Sequence, residues 1–600
     1  MTHSIDLYRR RFVLGASSAA GLSLLGVHKL ASAASFSSLL ERQSHNGPTE
    51  VRGQHVRLSI GEKRVNFTGS ERMATVVNNS LPAPTLRFKE GDTVTIDVTN
   101  QLSATSSIHW HGIILPTGMD GVPGLSFDGI APGETFRYQF KLEQSGTYWY
   151  HSHSGFQEQT GLYGALVVEP AEQDAMRADV DYSLVLSDWS DDDPEDIYRT
   201  LKKLPHFYNR RERTAGDLMR DIEQKGVLKT WRDRSMWNEM RMSSRDISDV
   251  TGYTYTFLMN GQTPDSGWVG LFKKGQTVRL RIINAAAMTF FDVRIPGLKM
   301  RVIEADGQPI EPVSVDDIRL GVAETYDVLV TPESEQAYTV FAQAIDRSGY
   351  ARGTLTPDPE LLGDIPAMDA APELTHRDMG MAMMGHDMSH GAHHGGMADH
   401  HAHHGMEKLS MGDGRAGFGS AREIMHRQSE FGPHIDMRAE APQYRLDDPG
   451  VGLRQHRELG RKVLTYADLK HRYGTPDPRE PDREIQLHLT GNMSRYMWSI
   501  NGIKFADAQP LRLKQGERVR ITLVNDTMMN HPIHLHGMWS DLETGDAGYI
   551  PRKHTVIVQP GAKISYLVSA DAVGRWAYHC HLLYHMLGMF REVRVEGGTA

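Results

Sequence analysis

Leu86-Arg-Phe-Lys-Glu-Gly91-Asp-Thr-Val-Thr-Ile-Asp-Val-Thr-Asn100 decides the fold, because the chain writes it again as Leu271-Phe-Lys-Lys-Gly275-Gln-Thr-Val-Arg-Leu-Arg-Ile-Ile-Asn284 and as Leu511-Arg-Leu-Lys-Gln-Gly516-Glu-Arg-Val-Arg-Ile-Thr-Leu-Val-Asn525. Each copy holds a glycine nine residues before an asparagine, with apolar residues alternating between them. That is a turn feeding a half-buried strand. From about Thr49 the surrounding chain reads as short alternating strands punctuated by glycine and proline, the pattern of an all-β sandwich. Three copies imply three sandwich domains, expected over 49–172, 180–356 and 438–600.

Two segments break the β pattern. Asp191-Asp-Asp-Pro-Glu195 followed by Ile197, Leu201 and Leu204 opens a stretch of short helices, about 191–248, inserted in the second domain. No chemistry is assigned to it. Residues 357–437 form a linker whose centre, His376 to Met411, is nearly all Met, His, Gly, Asp and Ala. Such a composition cannot assemble a packed core, so a disordered, mobile Met/His-rich linker is expected.

The formal charge of −10 over 600 residues is mild, which argues against nucleic acid as a partner. Arg9-Arg-Arg11 before Phe12-Val-Leu14, a small-residue apolar stretch and Ala31-Ser-Ala33 read as a twin-arginine signal peptide over 1–33. The expected location is the periplasm, with no stable membrane span. The chain has one cysteine, so in an exported protein it is a free thiol or a metal ligand.

That cysteine stands in His579-Cys580-His581-Leu-Leu-Tyr-His585-Met586-Leu-Gly-Met589. On a strand His579 and His581 share one face and Cys580 takes the other, so one short element can serve two metal sites. A thiolate, two imidazoles and a weak thioether make a blue copper site, and Cys580, His585 and Met589 supply three of those groups. Three more His-x-His pairs occur in the sandwich domains, His109/His111, His151/His153 and His534/His536. Both pairs of the first domain recur at matching places in the third and are missing from the second. Eight imidazoles facing each other across a domain interface can hold three copper ions, leaving His531, Cys580 and His585 for the blue site. Zinc would leave the redox-type ligand set unexplained.

His-Trp-His-Gly, His-Ser-His, His-Pro-Ile-His-Leu-His-Gly and His-Cys-His-x3-His together resemble the four copper motifs of the three-domain multicopper oxidases. The resemblance spans the mature chain, and the insertion, the linker and Pro296-Gly-Leu-Lys-Met300 are similar to a periplasmic copper-resistance branch of that family. It implies three cupredoxin-like domains and four copper ions: one type 1, one type 2 and two type 3. By motif, His531, Cys580 and His585 resemble the type 1 ligands, with Met589 as axial group. His109 and His534 resemble the type 2 pair, and His111, His151, His153, His536, His579 and His581 the type 3 set. Met589 stands one residue nearer the cysteine than the family pattern, which leaves Met586 or a bulky non-ligand as alternatives. Asp120 matches an acid that supplies protons for dioxygen reduction in relatives, while Asp120-Gly121 is also an ordinary turn.

The expected function is oxidation of Cu(I) to the less membrane-permeant Cu(II), with dioxygen reduced to water. Further copper donors are expected in the linker: Met379, Met381, Met383, Met384, Met388, His390, His393, His394, Met397, His400, His401, His403, His404 and Met406. Thioethers suit Cu(I) and imidazoles suit Cu(II). The alternatives are a copper-sequestering protein with incidental oxidase activity and a laccase-like phenol oxidase. The expected partners are copper ions, dioxygen and other periplasmic copper-handling proteins.

Overall fold

The computed structural model describes residues 47–172, 176–239, 242–380 and 411–597. The signal-peptide reading and the donors from Met381 to Met406 lie outside the described residues. The three repeats form the same strand three times. Gly91, Gly275 and Gly516 all adopt positive φ, between +80° and +87°, which turns the chain into the strand at no steric cost. Thr93–Asn100, Val278–Asn284 and Arg518–Asp526 then each run parallel to one neighbour and antiparallel to another in their sheets.

The closing asparagine explains why the repeat ends as it does. Asn100 Nδ2 donates to the carbonyls of Ala104 and Ile130, Asn284 Nδ2 to those of Thr289 and Leu320, and Asn525 Nδ2 to those of Met529 and Val558. In every copy its Oδ1 accepts from the backbone N–H two residues on. All three are fully buried, so one side chain satisfies the loop that leads into the next strand.

Each repeat belongs to a two-sheet sandwich. The first stacks sheets of five and four strands, the second of six and five. The third sets a larger sheet against a five-stranded one ordered Leu511–Lys514, Phe590–Glu596, Gly574–Cys580, His531–Leu535, Thr555–Val558. Its central pair matches His109–His111 against Gly146–His151 in the first sandwich and Phe291–Arg294 against Tyr338–Ala344 in the second. The histidine-bearing strands are thus equivalent, and the middle copy keeps the strands without the ligands.

The insertion forms three helices, α1 (Pro194–Leu201), α2 (Ala215–Lys225) and α3 (Val227–Glu239), between two paired strands of the second sandwich. Asp193 caps α1, and Thr214 with Asp217 makes a capping box on α2. Ile197 and Leu201 bury the inner face of α1.

The linker differs from its expectation at both described ends. Met379, read as a loose copper donor, is fully buried in the hydrophobic core, and Asp378 beside it accepts from Arg454. Packed in this way, Met379 is fixed among apolar neighbours and is not part of a mobile segment. After Met411 the chain packs Ala416, Phe418, Ile435 and Met437 inward. Residues 443–472 then bind the second and third sandwiches together, Gln443–Tyr444 pairing with Ala562–Ser569 while Val463 and His471 bridge to Asp317 and Ile310. Among the described residues no helix is long and apolar enough to cross a membrane.

Candidate metal centre

His109–His111 pairs with Gly146–His151, placing His109 opposite His151, and His531–Leu535 pairs with Gly574–Cys580, placing His534 opposite His579. The two strand pairs bring their imidazoles to one buried interface. His109 stacks on His536 with ring centres 3.9 Å apart, and His111 stacks on His534 at 3.7 Å. Donor atoms gather in groups lying within 4.8 Å of one another: His111/His151/His581, His153/His536/His579 and His109/His534/His536. All eight paired histidines are here.

The hydrogen bonds show what these rings are aimed at. His109 Nδ1 bonds the Asp120 carbonyl at 2.7 Å, His534 Nδ1 the His554 carbonyl at 2.6 Å and His579 Nδ1 the Cys580 carbonyl at 3.0 Å. His536 Nδ1 lies 2.9 Å from Asp120 Oδ2, and His151 Nδ1 lies 2.6 Å from Glu158 Oε2. The Nε2 atoms of His109, His151, His153, His534 and His581 are buried with no partner among the described residues, and His111 has neither nitrogen paired. A ring held by one nitrogen with the other pointing into a shared dry space is the second-shell arrangement of a metal ligand. Left empty of a cation, so many buried orphans would be costly.

Electrostatics agree. Burial, reinforced by neighbouring imidazoles, holds His111, His153, His534, His536 and His581 well below the usual imidazole range, and burial lowers His579 to about 4. These rings are neutral and ready to donate lone pairs.

Cys580 opens the other face. Its Sγ lies 3.4 Å from His531 Nδ1, and His531, Cys580 and His585 form a further donor group, all fully buried. His531 Nε2 is held by Thr527 Oγ1 at 2.7 Å, and His585 Nε2 by Asp249 Oδ2 at 2.7 Å, leaving the buried His585 Nδ1 without a partner among the described residues. Burial pushes the Cys580 thiol up, so a thiolate here requires a cation to take the proton's place. Met589 is fully buried, and its carbonyl accepts from Cys580 N at 3.0 Å. Met586 is only partly buried and packs both against the core that holds Met589 and against the cluster of Val122, Ala577 and Phe590.

Asp120 stands in a turn and reaches the histidine clusters. Gly121, at φ +80°, makes the turn, where a Cβ would fall 1.8 Å from the Ile108 carbonyl, and the turn delivers Asp120 between His109 and His536.

Sequence reasoning missed three residues. Asp249, at the end of the helical insertion, reaches His585 and also accepts from the Tyr496 hydroxyl at 2.8 Å. Glu158, beside His151, has its carboxyl raised well above the usual range by burial and by Asp188. His554 lies with His111 and His534 in a donor group of its own, its Nε2 buried and unpaired among the described residues. None stands at ligand spacing from a motif, so no local signal marks them.

Comparison with known proteins places the chain. Multicopper oxidase family models match residues 59–173, 230–358 and 478–598, one per sandwich. The chain is 52% identical to copper resistance protein A of Escherichia coli, over 96% of this chain and 98% of that protein. It is 53% identical to copper resistance protein A of Pseudomonas syringae pv. tomato, over 98% and 99%. In fold it is similar to the laccase from Botrytis aclada, with a TM-score of 0.59 at 20% identity over 92% of this chain and 89% of that one. The chain therefore belongs to the multicopper oxidase family, within the group related to copper resistance protein A.

Proposed function

We propose that this periplasmic multicopper oxidase converts Cu(I) to Cu(II) and so confers copper resistance, with dioxygen as the terminal electron acceptor. The observation that carries this is the buried constellation of eight inward-facing imidazoles one residue away from a cysteine–dihistidine site. Copper at these donors supplies one-electron oxidation of substrate at the cysteine site and four-electron reduction of dioxygen to water at the histidine clusters.

His531, Cys580 and His585 would hold the type 1 ion. Met589 is the axial candidate, supported by its full burial and its backbone bond to Cys580, whereas Met586 is only partly buried. His109 and His534 would hold the type 2 ion. His111, His151 and His581 would hold one type 3 ion, and His153, His536 and His579 the other, following the donor groups. Cys580 is peptide-bonded to His579 and His581, so the chain itself joins the two sites. Asp120 holds the orientation of His536 and is placed to move a proton at its Oδ2.

Substrate electrons enter through His585. Its ring is fully buried beneath Trp498, which stacks on it at 3.8 Å, and Asp249 is nearly buried with it. The Asp249 carboxylate bonded to this ring favours a small cation as the electron donor. The methionines of residues 381–410 add soft donors that gather Cu(I).

The test replaces Met381, Met383, Met384, Met388, Met397 and Met406 by serine, which leaves Met379 in the core. Oxidation of Cu(I) at low copper should slow while oxidation of a small phenol continues at the parental rate. Resistance of cells carrying a His109→Ala oxidase-dead chain, undiminished from the parent, would overturn the oxidase reading in favour of sequestration by the methionine–histidine segment.

A further inference from the structure

Two other histidines and two carboxylates converge beneath the surface of the third sandwich. His488 projects from the strand Arg483–Asn492, and Asp526 ends the neighbouring strand Arg518–Asp526. His426 and Glu430 stand on the segment that packs over them. His488 Nδ1 lies 2.7 Å from Asp526 Oδ2 and 3.5 Å from Glu430 Oε2, while His426 Nδ1 lies 3.0 Å from Glu430 Oε2 and 3.5 Å from Asp526 Oδ2. Each imidazole nitrogen faces both carboxylates. Donors about 2.0–2.1 Å from a tetrahedral centre stand about 3.3–3.4 Å apart, and the four measured separations bracket that spacing.

The outer contacts hold the donors in place. His488 Nε2 donates to Gln486 Oε1 at 3.3 Å, which leaves its Nδ1 lone pair inward. The Ala439 backbone bonds the His426 ring, and Ala439 N donates to Asp526 Oδ1 at 2.7 Å. Gln486 Oε1 also accepts from Met425 N, tying the His426 segment to the strand. Glu430 and Asp526 are fully buried, and Glu430 Oε1 has no partner among the described residues. The His426 side chain is 17% exposed, which gives an ion a way in.

We propose that His426, Glu430, His488 and Asp526 form a further metal site that takes one divalent cation, Zn(II) or Cu(II). Two carboxylates balance a charge of two, and nitrogen and oxygen donors without sulfur select these ions over Cu(I). Donor identity, spacing, second shell and entry path are the features by which a metal site is judged, and all four are met. The site is separate from the oxidase centre, since none of its ligands enters the histidine pairs or the cysteine group, and it stands whether or not Cu(I) is the substrate.

The test uses the full-length holoenzyme with its oxidase copper loaded, passed over a chelating resin and titrated with Co(II), Zn(II) and Cu(II). Wild type should bind one equivalent more than His426→Ala or Glu430→Gln, with tetrahedral Co(II) absorption absent from both variants. Displacement of Co(II) by Zn(II) or Cu(II) identifies which ion is held more tightly. Gln486→Ala should weaken that equivalent by about 10–100-fold, as loss of an outer-shell partner does. Blue absorption and oxidase rate should be those of wild type in all three variants. Binding by the methionine–histidine segment is common to every chain and cancels in the difference. Equal uptake and identical Co(II) spectra in wild type and Glu430→Gln, the isosteric change least able to disturb folding, would overturn the proposal.

Discussion

Cys580 is peptide-bonded on each side to a histidine of the clusters while its own sulfur faces His531, so in the proposed assignment one residue carries both the colour and the connection. Cys580→Ser should abolish the intense visible band and electron entry together, and a purified variant that stayed blue would refute the type 1 assignment. Asp249 acts one bond further out. Removing it leaves the His585 Nε2 without its partner, and loss of such an outer-shell contact costs about 10–100-fold in activity. Asp249→Asn is therefore expected to slow Cu(I) oxidation by about that factor while the blue absorption is retained, as read by steady-state kinetics beside visible spectra. Asp120 touches the other site. Asp120→Asn should leave anaerobic reduction of the blue site at its parental rate and slow reoxidation by dioxygen, which stopped-flow mixing separates.

At the scale of elements, the strand Thr555–Val558 and the residues just before it position the interface. Lys553 is fully buried between Asp306 at 2.9 Å and Glu324 at 3.0 Å, both from the second sandwich. Burial alone would lower the ammonium pKa, but the two carboxylates raise it well above its usual value. Asp306 also accepts from the backbone of His554 and Thr555, and the His554 carbonyl in turn holds His534. Lys553→Met would strand two buried carboxylates, a change worth about 3–5 kcal/mol. It should lower the thermal midpoint and loosen copper retention near His534, measured by calorimetry and metal analysis. The short turn after His585 is a second local device. Gly588 and Met589 both donate to the His585 carbonyl, which closes the loop one residue early and still brings Met589 inward beside Cys580.

Across the whole molecule, the first and second sandwiches are joined by ions. Asp181 accepts from Arg281 at 2.8 Å and faces Arg87 of the first sandwich at 3.3 Å, while Arg281 also donates to Thr147. Burial pushes the Asp181 carboxyl up, yet Arg281 and Arg87 bring it down from 3.8 to about 2. A depressed carboxyl contributes stability that is complete above its unfolded pKa and lost as pH falls through its folded one. Part of the acid sensitivity of this junction should therefore fall between about pH 4 and pH 2, and Asp181→Asn should flatten that part of a thermal-midpoint profile. A profile unchanged by the substitution would show that the junction does not titrate there. The sequence by itself determined what local pattern can carry: three sandwiches from the glycine-to-asparagine repeat, and the identity of the paired histidines from a spacing of two on a strand. It also marked the middle domain as free of those ligands. Only the tertiary structure decided which imidazole joins which group, because His111 meets His581 and His153 meets His536 across an interface that no local period encodes. Asp249, Glu158 and the pair His426 and His488 became visible for the same reason, each drawing its meaning from a partner on another element. Met379 shows the converse: composition placed it among loose soft donors, and packing placed it in the core, since burial depends on what surrounds a side chain and not on the company it keeps in sequence.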